Sequence, residues 1–155
     1  MKPLFVGQAP SESLPVGARA LSGRSGRRLA SLAGLTLDEF LAAADTVNVF
    51  DAFTGKAGKK GDAFPLAEAR HRADVLRRAN ADRETVVLLG SLVAAAFDLD
   101  ELADAPCSWY HGAGDSTQRV GFLPHPSGID RWYNDAANVK RAARFVRSAL
   151  GLGGL

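Results

Sequence analysis

The sequence contains a single cysteine, Cys107, in 155 residues, so it can form no internal disulfide and no cysteine-rich zinc or iron–sulfur site. Long apolar runs are also missing. The longest uncharged apolar stretches, residues 85–97 and 120–124, fall short of the roughly 18 to 20 residues that span a bilayer. Met1-Lys2-Pro3 leads directly into a short strand-like run and Gly7, without the apolar stretch and small-residue cleavage site of a secretory signal. An intracellular protein with no membrane partner is the expectation. Internal repeats and low-complexity tracts are absent too. What remains is 46% hydrophobic and 23% charged, which excludes disordered, collagen-like and coiled-coil classes. The length suits one layered core, and we expect a single domain over 1–150 with a frayed tail at 151–155.

The 19 basic and 17 acidic side chains nearly cancel, to +2, but they are unevenly spread. Residues 13–37 hold Arg19, Arg24, Arg27 and Arg28 with no acid, and residues 136–155 hold Lys140, Arg141, Arg144 and Arg147 with none. Acid gathers at Asp98, Asp100, Glu101 and Asp104. Such polarity suits a face turned to a polyanion and equally suits ordinary solvated helices. A basic loop at 55–61 carries Lys56, Lys59 and Lys60.

Four runs rich in Val, Leu or Phe read as buried strands: residues 3–6, 46–50, 85–89 and 119–123. Helical patterns separate them. Residues 26–33 end at Gly34, and Thr36-Leu37-Asp38-Glu39 is a capping box opening a helix toward Ala44. Leu66, Ala69, Ala73 and Leu76 form one apolar stripe, and Glu68/Arg72 and Asp74/Arg78 are i,i+4 pairs outside it. Residues 91–97 make a short apolar helix. Val139, Ala142, Ala143, Val146, Ala149 and Leu150 mark the last one, which Gly151 stops. Strands alternating with helices predict parallel pairing, hence an α/β three-layer sandwich around a four-stranded parallel sheet.

In such sheets ligands bind beyond the carboxyl ends of the strands. The first strand runs into Gly7-Gln8-Ala9-Pro10-Ser11, the second carries Asn48 and then Asp51, the third ends at Gly90-Ser91, and the fourth enters Pro124-His125-Pro126-Ser127-Gly128. Each alone reads as an ordinary turn or surface histidine. Together they bring to one edge two carboxamides, an imidazole and helix-start N–H groups. Those N–H groups favour phosphate, and an imidazole donor stabilises negative charge developing on an oxygen.

With those residues the chain resembles the uracil-DNA glycosylase superfamily. Gly7-Gln8-Ala9-Pro10-Ser11 is similar to its water-activating loop, and His125-Pro126-Ser127-Gly128-Ile129-Asp130-Arg131 to its second motif, including the version of the mismatch-specific branch. Leu21-Ser22-Gly23-Arg24-Ser25-Gly26-Arg27-Arg28-Leu29 resembles a stretch of the iron–sulfur branch, Asn48 falls where that family keeps its base-reading Asn, and residues 86–91 resemble its third strand and turn. The resemblance implies a monofunctional DNA glycosylase that removes uracil or a 5-substituted uracil and leaves an abasic site, with a division of labour that can be written residue by residue. Gln8, Asn48 and His125 would be catalytic. Gly7, Ala9, Ser11, Leu21 and Asn48 would line the base pocket. Arg24, Ser25, Gly26, Arg27, Gly90, Ser91, Ser127, Gly128, Ile129 and Arg131 would contact DNA, Ile129 as the apolar wedge.

The pattern also departs from the family. Ala9 stands where the common branch has Asp, and Gln8 where the iron–sulfur branch usually has Glu. Leu21 replaces the stacking aromatic, leaving that task to Phe53, Trp109 or no residue. Ser11 replaces the Tyr that blocks a 5-methyl group, which would admit 5-substituted uracils. The cluster-binding cysteines are missing, so no metal or other cofactor is expected. The expected partner is DNA, met by a monomer. A catalytically silent DNA-binding or partner-binding member of the fold is the alternative, and a modified base or free nucleoside as substrate is a third reading. Trp132-Tyr133 is expected to anchor the last helix, with Asn134 or Asp135 as its cap.

Overall fold

The computed structural model describes residues 1–56, 63–112, 117–126 and 130–153. Its strands are β1 (Leu4–Gly7), β2 (Asp45–Asn48), β3 (Thr85–Leu89), β4 (Trp109–His111) and β5 (Arg119–Leu123). They form one sheet in the order β2-β1-β3-β5-β4. The first four positions are parallel, and β4 runs antiparallel to β5. The sheet is therefore five-stranded and mixed, where the sequence predicts four parallel strands. A three-residue strand is too short to show the period-2 alternation that betrays longer ones. β4 is drawn in by packing: Trp109 stacks on Phe145 with ring centroids 4.5 Å apart, and Gly121, opposite it in register, has no side chain to hold the ring off.

Alternation along the strands divides the core between two faces. Phe5, Val87, Leu89 and Leu123 point to one face, where α1 (Arg24–Ala33), α2 (Leu37–Ala43) and α5 (Ala136–Ala149) bury Leu29, Phe40 and Val146. Leu4, Val6, Val86 and Leu88 point to the other, against Ala69 and Ala73 of α3 (Leu66–Ala79) and Val93 and Ala96 of α4 (Ser91–Ala96). Phe5 and Phe40, both fully buried, meet edge to face at 5.2 Å, a pairing worth about 0.5–1.5 kcal/mol beyond the area it buries.

The helix ends follow local chemistry. The Glu39 amide donates to Thr36 Oγ1 at 3.1 Å and the Thr36 amide to Glu39 Oε1 at 2.9 Å, closing the capping box. That backbone hydrogen bond from Thr36 holds the Glu39 carboxyl below its ordinary range. Asp135 caps α5, accepting from the Ala137 amide at 2.8 Å. At the other end Gly151 takes φ 73°, with the Leu152 amide donating to Arg147 O at 2.9 Å and the Gly151 amide to Ser148 O at 3.1 Å. This is a Schellman cap. The expected tail at 151–155 thus begins with this cap, and 154–155 lie outside the described residues. No described helix is long and apolar enough to cross a membrane.

The connections decide where a ligand can enter. From β1 the chain crosses to β2 through α1 and α2 on one face, then passes to β3 through α3 on the opposite face. The winding therefore reverses between β1 and β3, and a crevice opens at their carboxyl ends.

Candidate functional site

Both strands bordering that crevice run into glycine. Gly7 ends β1 and pairs in register with Asn48, the last residue of β2. Pairing persists beyond the strands, with the Val49 amide donating to Gly7 O at 3.0 Å and the Phe50 amide to Gln8 O at 3.1 Å, so Gln8 and Asn48 leave the sheet side by side. The Asn48 carboxamide lies directly against Gly7: a Cβ there would collide with Asn48 Oδ1 and stand 2.9 Å from Leu21 Cδ2. Glycine is what lets the amide and Leu21 close over the strand end. Gln8 and Asn48 are half-buried, and among the described residues neither carboxamide has a hydrogen-bond partner.

On the far side, Gly90 follows β3 at φ 94°, a conformation that favours glycine, and its amide donates to Leu123 O at 2.9 Å. This ties the β3 turn to the end of β5. His125 then stacks beside it, with Cβ and Cδ2 each 3.4 Å from where a Gly90 Cβ would stand. His125 is half-buried, Pro124 and Pro126 on either side of it are buried, and the Tyr133 hydroxyl donates to Pro124 O at 2.6 Å. Asn48 and His125 thus share one sheet edge, separated by three strand steps of about 4.8 Å each.

The rim is basic and amide-rich where α1 begins. Leu21, 8% exposed with φ 62°, turns its carbonyl onto Gly26, where any Cβ would overlap it. Gly26 therefore lets the first turn of α1 abut Leu21 and, through it, Gly7. No acid lies in that turn and no side chain caps it. Ser25 is half-buried there, while Arg24 and Arg27 are exposed and have no ion-pair partner among the described residues. Ser91 is exposed at the start of α4 and Arg131 is exposed in the turn before α5. Ser11 is exposed and shares a hydrogen bond with Ser13, and Ala9 packs against the α3/α4 side of the core. Ser127, Gly128 and Ile129, as well as Lys59 and Lys60, lie outside the described residues.

Other predicted participants are engaged elsewhere. Trp109 packs on Phe145, and the Arg119 guanidinium lies 3.9 Å from its ring centroid, whereas Phe53, five positions past Asn48, sits with Lys56 near its ring at 5.9 Å. Asp51 pairs with Arg72 at 3.7 Å. The basic residues near the C-terminus serve the fold: Arg147 donates to Ala33 O at 2.7 Å and Arg141 to Pro106 O at 2.9 Å. Among the described residues no three His, Cys, Asp or Glu side chains gather as a metal site. An apolar cavity of about 320 Å³ lies toward the other end of the strands, lined by Leu4, Leu76, Val86, Phe97 and Leu99, away from every strand-end group named above.

Two residues at the site carry no recognisable motif in the sequence. Tyr133, read there only as an anchor of the last helix, holds the carbonyl preceding His125, and burial pushes its phenol far above the ordinary tyrosine range. Arg28 places its guanidinium 4.5 Å from the Tyr133 ring centroid. Only the nine-position reach from Tyr133 back to Pro124 would have revealed the first, and no local pattern encodes such a contact. Compared with protein-family models and with curated proteins, the chain matches none, so the chemistry of this strand-end cleft carries the functional reading.

Proposed function

We propose that the chain is a monofunctional DNA glycosylase that hydrolyses the N-glycosidic bond of uracil, or of a 5-substituted uracil, in DNA and leaves an abasic site. One observation carries the reading: two carboxamides without a hydrogen-bond partner among the described residues and an imidazole share the carboxyl edge at the switch point, beside a cationic helix start. The strand order and the two helical layers support a glycosylase-like fold. In this reading the nucleotide is extruded and its base enters the crevice over Gly7. Asn48 offers a donor and an acceptor to the uracil edge, and cytosine, with its exocyclic amine, reverses that pattern. As the bond from C1′ to N1 breaks, the electron pair moves onto the base, and His125 donates a hydrogen bond to the oxygen that gains charge. Gln8 orients the water that adds to C1′. Its proton passes to solvent, because a carboxamide is no base. Arg24, Arg27 and the α1 start hold flanking phosphates. Small, exposed Ser11 leaves space for a 5-substituent. The enzyme would work as an intracellular monomer.

The test is incubation with end-labelled single- and double-stranded oligonucleotides containing uracil or 5-hydroxymethyluracil, followed by alkaline cleavage of abasic sites. Cleavage at the uracil is the expected result, with His125→Ala slower by about 100- to 1,000-fold and Asn48→Asp impaired as well. Absence of cleavage on every base, with salt-sensitive DNA binding retained, refutes catalysis. That result favours the silent DNA binder, to which Gln8 and Ala9 in place of acids also point.

A further inference from the structure

We propose that Tyr133 is a positioning residue for His125, acting through the carbonyl of Pro124, and that Arg28 joins this strut to the helix that faces the DNA backbone. Pro124 O belongs to the planar unit that ends at His125 Cα, so an atom that fixes this oxygen fixes the plane from which the imidazole hangs. The Tyr133 hydroxyl does so with a 2.6 Å hydrogen bond in a buried setting, the residue being 5% exposed. The other side of His125 is bounded by Gly90, at 3.4 Å from the position of its absent Cβ. One contact sets the plane and the other limits the ring.

Tyr133 is itself held on two sides. Its ring meets Trp132 edge to face at 4.9 Å. The Trp132 backbone is fixed in turn, its amide donating to Asp130 Oδ1 at 3.0 Å and its carbonyl accepting from Asn138 Nδ2 at 3.0 Å. Above the ring lies Arg28, one position beyond Arg27 on α1. Burial keeps the phenol protonated throughout the working pH range, so it remains a donor. A cation over the ring and a hydroxyl on the carbonyl thus link α1, which begins at the proposed phosphate contacts, to the loop carrying the imidazole. Phosphate engagement and His125 placement are mechanically connected by this strut.

The kinetic arm of the test rests on the glycosylase reading, and the spectroscopic arm does not. Tyr133→Phe keeps the ring and its contacts and removes only the hydroxyl. The single-turnover excision rate should fall about 10- to 100-fold while DNA affinity stays within about twofold, a split that general destabilisation would not produce. The chain has three histidines, and His71 and His111 are both exposed and remote in sequence from the strut. In carbon-detected or proton–carbon spectra the His125 imidazole signals should shift or broaden in Tyr133→Phe while those of His71 and His111 stay in place. Arg28→Met, which removes the cation without touching Pro124, should move the same His125 signals by a smaller amount, and it stands in if Tyr133→Phe does not fold. A wild-type protein inactive on every base refutes the glycosylase reading alone, and the spectra then decide the strut. His125 signals unchanged in the folded variants overturn it.

Discussion

Gly7→Ala probes the packing on which the cleft depends. Gly7 is not among the residues with positive φ, so alanine meets no backbone penalty and the whole effect is steric. The added methyl would overlap Asn48 Oδ1 and stand 2.9 Å from Leu21 Cδ2, well inside the roughly 3.5–4.0 Å at which carbon atoms rest. Pairing of β2 with β1 holds the Asn48 backbone, so its carboxamide escapes only by swinging off its seat over Gly7, and Leu21 is buried at φ 62° with its carbonyl against Gly26. Overpacking of this kind costs about 1–3 kcal/mol, which for a domain of this size lowers Tm by about 2–12 °C. On the proposed glycosylase reading, displacing the carboxamide also weakens base reading. A bidentate contact discriminates by about 1–3 kcal/mol, or about 5- to 140-fold, and uracil selectivity should fall within that range. Thermal denaturation of wild type, Gly7→Ala, Asn48→Ala and the double variant is the assay. Truncating Asn48 removes the colliding atom, so the double variant should be more stable than the sum of the singles by about 1 kcal/mol or more, with no return of activity. Additivity within about 0.5 kcal/mol, or a Gly7→Ala protein with wild-type Tm, refutes the packing argument.

Two further expectations concern groups outside the cleft. The hydrogen bond from Arg83, 2.5 Å from Asp45 Oδ2, holds the Asp45 carboxyl below its ordinary value of 3.8 against an opposing desolvation. A depressed folded pKa means stability that is present above the unfolded pKa and is lost as pH falls through the folded one. Because the Asp45 side chain is 42% exposed, Asp45→Asn should cost only about 0.5 kcal/mol at neutral pH, and urea unfolding near pH 2 should show the difference gone; a difference that persists there contradicts the assignment. For Cys107, burial pushes the thiol from an ordinary 9.0 up to about 11, so iodoacetamide labelling of the native protein at pH 7.5 should run about 100-fold slower than in urea. Equal rates would show the thiol to be open to solvent.

The local grammar of the chain was legible without coordinates wherever a short-range rule applies. The capping box at Thr36–Glu39, the stop at Gly151, a polar cap at Asn134 or Asp135, which falls on Asp135, and the run of residues 85–89 each depend on neighbours within a few positions. β4 was not legible, because three residues display no period and its membership is decided by Phe145 and Gly121 from elsewhere in the chain. The same contrast holds at the cleft. The residue types at the strand ends, an Asn, a Gln, a His and glycines, are fixed by the sequence, and parallel pairing implies that they gather on one edge. Only the tertiary structure decided that Asn48 rests on Gly7, that Trp109 is spent on the core, and that Tyr133 grips Pro124. Those are contacts between side chains far apart along the chain, and no pattern of neighbouring residues specifies which of them close.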